Sequence, residues 1–150
     1  MGQAENPYGF WPCDDDAKLR QFPEATSQTF AAGDAVYLAS GAVTIATAAT
    51  TEILGVAAMP SSGTAGTQIS VWHRDDTEFY GRASGANDVE EGTYCDIEGT
   101  TGEMQLNENA TSTNVALIVN RVNNDEVTTA AGVRWRFRFT LHQLAEQSGV

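Results

Sequence analysis

Residues Val133 to Thr140 read Val-Arg-Trp-Arg-Phe-Arg-Phe-Thr, an unbroken alternation of large apolar side chains with cationic or polar ones. Successive side chains of a strand point to opposite faces, so Val133, Trp135, Phe137 and Phe139 share one face and Arg134, Arg136 and Arg138 the other. The whole chain carries only 8 Lys plus Arg against 20 Asp plus Glu. Three of its few cations therefore line one strand of an acidic molecule. That strand is a candidate both for packing, through its aromatic face, and for docking, through its arginine row.

The rest of the chain repeats strand and turn. Ala35-Val36-Tyr37-Leu38-Ala39, the turn Ser40-Gly41 and Ala42-Val43-Thr44-Ile45-Ala46 have the spacing and turn chemistry of a hairpin. Short strands are expected at Ile53–Ala58, Gln68–Trp72, Glu78–Tyr80, Gly92–Ile97 and around Met104 to Leu106, with turns between them. Val115–Val119 is a continuous apolar run, the mark of a centrally buried strand. No helical periodicity competes, apart from at most one short turn over Leu141–Gln147. Many short strands with regular turn signals predict an all-β fold, a single-domain β-sandwich or partly open barrel.

Residues 1–25 read as an extended N-terminal arm, ahead of a β-rich domain at 26–150. Pro7, Pro12 and Pro23 interrupt this stretch, Asp14-Asp15-Asp16 repels itself, and Tyr8, Phe10 and Trp11 cluster. Those aromatics need burial, either on the chain's own core or on a neighbouring subunit.

Composition bounds the function. The chain has 150 residues, 41% of them apolar, enough for one domain with a real core. A net charge of −12 opposes nucleic-acid binding, because no basic field exists to displace counterions from phosphates. It also favours solubility and discourages self-association of the free chain. No apolar span long enough for a membrane helix and no secretion signal is visible, so synthesis in a cytosol is expected. Cys13 and Cys95 are then expected as reduced thiols.

Catalytic signals are weak throughout. His73 and His142 have no zinc-type spacing, and Arg74-Asp75-Asp76 reads as a bend. No nucleophile elbow is present, a Cys95–His73 dyad has nothing beyond composition behind it, and Cys95 in an alternating strand reads as core. No catalytic residue, metal site or cofactor is expected. The Asn109-Ala110-Thr111 sequon reads as chance without a secretory route. Trp72 reads first as a core or interface residue; if its strand is exposed on one face, it could offer a stacking platform for sugars. The arginine row has two explanations: cross-strand pairing with Asp96, Glu98 or Glu103, or contact with an acidic surface of another subunit.

Three segments carry a family resemblance. Gln28 to Leu38 holds Phe30, Gly33, Asp34 and Val36; Ser40-Gly41-Ala42-Val43 follows; then comes Glu52-Ile53-Leu54-Gly55-Val56-Ala57. This pattern, with the late Val133–Phe137 strand and Leu141, resembles tailed-phage head decoration (cement) proteins over about residues 28–145. The resemblance implies a β-tulip-like fold and no enzymatic activity. It further implies a virion protein on the outer capsid surface, bridging major capsid protein subunits, as a trimer or dimer. Tyr8, Phe10, Trp11, Trp72, Arg134, Arg136 and Arg138 are then the expected capsid or subunit contacts. The alternative expectation is a carbohydrate- or ligand-binding β-sandwich module of a phage fibre.

Overall fold

A computed structural model describes residues 8–14, 17–73, 77–83, 91–107, 111–121 and 134–140. Among these the elements are all strands: β1 (Trp11–Pro12), β2 (Leu19–Pro23), β3 (Ala35–Ala39), β4 (Ala42–Ile45), β5 (Gly55–Ala57), β6 (Gln68–Trp72), β7 (Phe79–Arg82), β8 (Tyr94–Glu98), β9 (Gln105–Asn107), β10 (Ala116–Arg121) and β11 (Arg134–Phe139). They form two antiparallel sheets packed together as a sandwich. One has six strands in the order β1-β7-β11-β10-β8-β9, the other five in the order β2-β6-β5-β3-β4. The expected helical turn over Leu141–Gln147 lies outside the described residues.

The β3–β4 hairpin turns at Ser40 and Gly41, both at positive φ (52° and 81°), as a two-residue loop matching strand twist requires. Between the sheets lies an apolar cluster that includes Phe10, Phe79, Phe137, Phe139, Ile97 and Ile118. A second cluster, including Phe22, Phe30, Val36, Val43, Ile69 and Val71, lies on the other side of the five-stranded sheet. Strand alternation divides the residues between them. Ala35, Val56 and Trp72 are cross-strand partners facing the six-stranded sheet, whereas Ala57 and Val71 face away. The five-stranded sheet is thus covered on both faces. Its rolling is seen where Glu24, just past β2, bridges to Val43 of β4.

The stretches from Phe30 to Val36 and from Leu54 to Val56 meet at the heart of this sheet. Val36 pairs with Gly55 and Ala35 with Val56, joining the Phe30–Val36 stretch to the Leu54-Gly55-Val56 strand. A Cβ on Gly55 would collide with the Trp72 main-chain carbonyl, so only glycine lets β5 sit this close to β6. Gly33 has φ +97°, and its bare Cα lies under the Trp11 indole.

The N-terminal arm expected at 1–25 is corrected by the described part of that stretch. β1 forms an edge of the six-stranded sheet and β2 an edge of the five-stranded sheet. Phe10 is fully buried, edge-on to Phe137 at 5.1 Å and to Phe139 at 6.1 Å between ring centroids. Burying that ring on the chain's own core satisfies the hydrophobic demand of the cluster without a neighbour. Residues 1–7 lie outside the described residues.

Candidate functional site

The six-stranded sheet turns its other face outward, and the strand register lays that face out in rows. Directly opposed residues on antiparallel strands share a face. Across β8, β10 and β11, Tyr94 opposes Leu117 and Leu117 opposes Arg138. Across β10, β11, β7 and β1, Asn120 opposes Arg136, Arg136 opposes Tyr80, and Tyr80 opposes Trp11. At the end of the sheet Arg134 opposes Arg82. The alternation of β11 therefore does what its sequence dictates: Trp135, Phe137 and Phe139 are buried, and the three arginines line the outer side.

Each arginine has its own environment. Arg136 donates from Nη2 to Glu78 Oε1 at 2.7 Å, with the two side chains 41% and 31% exposed. The Arg134 guanidinium lies 5.6 Å from the centre of the Tyr80 ring. Arg138 is the exposed member. The pairing expected with Asp96, Glu98 or Glu103 is not what forms around Arg136, because β11 has β10 and β7 as neighbours and the acid within reach is Glu78, just before β7.

Asp96 is spoken for elsewhere. It is buried, and its carboxylate accepts main-chain N–H donors from Ser112, Thr113 and Asn114 at 3.1, 2.9 and 2.8 Å. Burial pushes its pKa up, but these donors outweigh it and hold the carboxyl below its usual range. Glu24 repeats the device: Ser62 donates through N–H and hydroxyl at 2.9 and 2.8 Å, and Gly63 N–H at 2.8 Å. It too is held low against the opposing effect of burial. Asp34 accepts from Ala31 N–H at 2.9 Å and Gly102 N–H at 3.0 Å, and here burial wins and raises the pKa.

Beside the arginine face lies Cys13, half-buried. Burial pushes its thiol up to about 11, against the pull of the Arg136 charge. Cys95 is buried in the inter-sheet core, and neither cysteine is in a disulfide. His73 sits edge-on to Phe22 at 6.2 Å between ring centroids. Among the described residues no group of three His, Cys, Asp or Glu is placed to hold a metal ion; Asp75, Asp76 and His142 lie outside them.

The remaining expected contact residues are also placed. Trp11 is half-buried; its indole N–H donates to the Tyr8 carbonyl at 3.2 Å, and its ring meets Trp72 edge-on at 6.2 Å. Tyr8 is half-buried. Trp72 belongs to a strand covered on both faces and packs against the inter-sheet core, as its core reading has it, and offers no exposed platform. Sequence reasoning did not bring Tyr94 and Leu117 to the arginine row, since their membership depends on strand order. The period-2 pattern Tyr94-Cys95-Asp96-Ile97 did carry the signal that Tyr94 faces opposite to the core residue Cys95.

A shallow polar depression of about 470 Å³ lies apart from this face, lined by Tyr37, Leu38, Thr47, Thr50, Thr51 and Glu52 among others. The Thr47 and Thr50 hydroxyls are engaged locally, Thr50 Oγ1 accepting from Thr47 N–H at 2.9 Å and Thr47 Oγ1 from Ala49 N–H at 3.2 Å. A scan against models of known protein families finds no match, and a search of curated proteins finds none either.

Proposed function

We propose that this chain is a decoration protein that binds the outer surface of a tailed-phage head and bridges major capsid protein subunits, stabilising the shell without catalysing a reaction. The observation that carries the reading is the outer face of the six-stranded sheet. There Arg136 and Arg138, with Arg134 and Arg82 at its end, stand among Tyr80 and Tyr94 on a molecule of net charge −12. Arginine and aromatic side chains are the residue types that anchor protein interfaces. The family-like segments support the same reading, because they occupy the β3–β5 pairing on which the second core is built. In this role the chain works on the virion exterior after synthesis in the host cytoplasm, self-associating there as a trimer or dimer, with no nucleic acid, membrane or cofactor as partner.

The test uses shells purified from the phage that encodes the chain. Adding the purified protein to undecorated shells is expected to give co-sedimentation at a saturating copy number set by the lattice, and a higher temperature of shell rupture. Absence of both would overturn the proposal.

A second reading, a carbohydrate- or ligand-binding module, has one observation in its favour: the depression beside Tyr37 and Glu52. In that case neutral sugars at millimolar concentration would shift amide resonances of residues 47–52 and leave the arginine face unchanged.

A further inference from the structure

Resting on the reading that the outer face of the six-stranded sheet docks a partner, we infer that its anchor is the cross-strand row Tyr94–Leu117–Arg138, which takes an extended acidic segment of a partner protein bearing an apolar residue between carboxylates.

The register makes these three residues immediate neighbours: Leu117 of β10 lies directly opposite Tyr94 of β8 on one side and Arg138 of β11 on the other. With strands about 4.8 Å apart, the row spans roughly 10 Å. It presents an aromatic ring, an aliphatic centre and a guanidinium in sequence. Tyr94 is 51% exposed, one of two large hydrophobic residues so exposed among the described residues. Leu117 is half-buried between its neighbours, and Arg138 is exposed.

Division of labour along β11 singles out Arg138. Arg136 is engaged by Glu78, and the Arg134 guanidinium lies against Tyr80, so both already serve the fold. Arg138 is two residues further on, next to the apolar part of the face. A guanidinium fork binds a carboxylate through two parallel N–H donors, whereas Leu117 and the Tyr94 ring reward an apolar contact and the tyrosine hydroxyl a polar one. The surrounding molecule is acidic, which sharpens the complementarity: a carboxylate-bearing segment is repelled by most of the surface and gains at the arginine face. The same charge sets two free copies of the chain against each other and disfavours a phosphate backbone, whose attraction grows with the number of cations in reach.

The test is a ¹⁵N-NMR titration of the full chain at low salt with acetyl-Glu-Leu-Glu-Val-Glu-amide. A peptide with lysine in place of glutamate and a single-stranded DNA oligonucleotide serve as controls. Expected are progressive shifts of the Tyr94, Leu117 and Arg138 amides with the acidic peptide alone. Arg138→Glu is expected to weaken that binding at least tenfold and to admit the lysine peptide in its place. Tyr94→Ala should weaken it several-fold, and both variants, being exposed, should melt within a few degrees of the parent. Shifts that cluster at Lys18 and Arg20, at the start of β2, equal shifts with the lysine peptide, or stronger shifts of the same amides with the oligonucleotide would overturn the inference. So would concentration-dependent broadening at this row without peptide, which would make a second copy the occupant.

Co-sedimentation separates the two claims. If shells bind the parent and the Arg138→Glu chain equally, the anchor is wrong and the decoration reading survives. If shells bind neither while the peptide maps to the row, the decoration reading fails and the anchor stands.

Discussion

At the residue scale, three buried carboxylates tie loops to sheets through main-chain N–H donors, and their geometries predict different costs. Asp96 uses both oxygens, Oδ2 for Ser112 and Oδ1 for Thr113 and Asn114. In Asp96→Asn an amide NH2 must face an N–H donor, so a loss of roughly 1–3 kcal/mol in stability is expected by urea denaturation. Glu24→Gln should behave alike, since Gly63 donates to the second oxygen. Asp34→Asn should cost less, because Oδ2 accepts from both Ala31 and Gly102, and Oδ1 only shares the Gly102 N–H at 3.1 Å. The pH dependence follows from the directions of the shifts. Glu24 and Asp96 are held below their ordinary values, so their contribution is complete above about pH 4.3 and is lost as pH falls through their depressed folded values. Asp34 is raised, so its contribution is complete in acid and declines as pH rises through its folded value. Through Glu24 and Asp96 the melting temperature is expected to fall on acidification below about pH 4, and Asp96→Asn should flatten that fall. Cys13, with its thiol pushed up to about 11, should react with iodoacetamide at pH 7.5 at least tenfold more slowly than a free cysteine peptide, and faster in alkali.

At the element scale, the two shortest-looking signals carry much of the fold. β1 and β2 bring Phe10 and Phe22 into the two apolar clusters. Phe10→Ala is expected to cost about 3–5 kcal/mol, read by thermal or chemical denaturation. Deleting residues 1–24 should abolish cooperative unfolding altogether, where a dispensable arm would leave the melting curve intact. These strands were not legible because Pro12 and Pro23 argue against strand in sequence, yet both sit on sheet edges, where a missing N–H breaks no ladder. The elements that were legible had chemistry that local rules read directly. Ser40-Gly41 admits the positive φ pair of a tight hairpin, and β11 alternates without interruption. Gln68–Trp72 appears with the bounds its β-branched and aromatic content suggests. Trp72 stayed open between core and platform because burial of a strand on its second face depends on which sheet lies behind it, a fact no local pattern encodes.

At the scale of the whole molecule, all-β class and sandwich architecture followed from turn spacing and the absence of helical periodicity. Strand order did not, and the candidate site inherits that limit: β11 was visible as an arginine row, but its neighbours Glu78, Tyr80 and Leu117 come from chain segments up to about sixty residues away. Docking through a basic face on an acidic body has a measurable signature. Shell binding is expected to weaken steadily from 50 to 300 mM salt, as the screening length shrinks below about 10 Å, while the melting temperature of the free protein changes little. The six-stranded sheet ends on strands of two and three residues, β1 and β9. So little bare backbone at its borders offers a neighbouring molecule no template to zip onto. Copies crowded side by side would then join through side chains and not through shared strands, and none would seed a filament from this sheet.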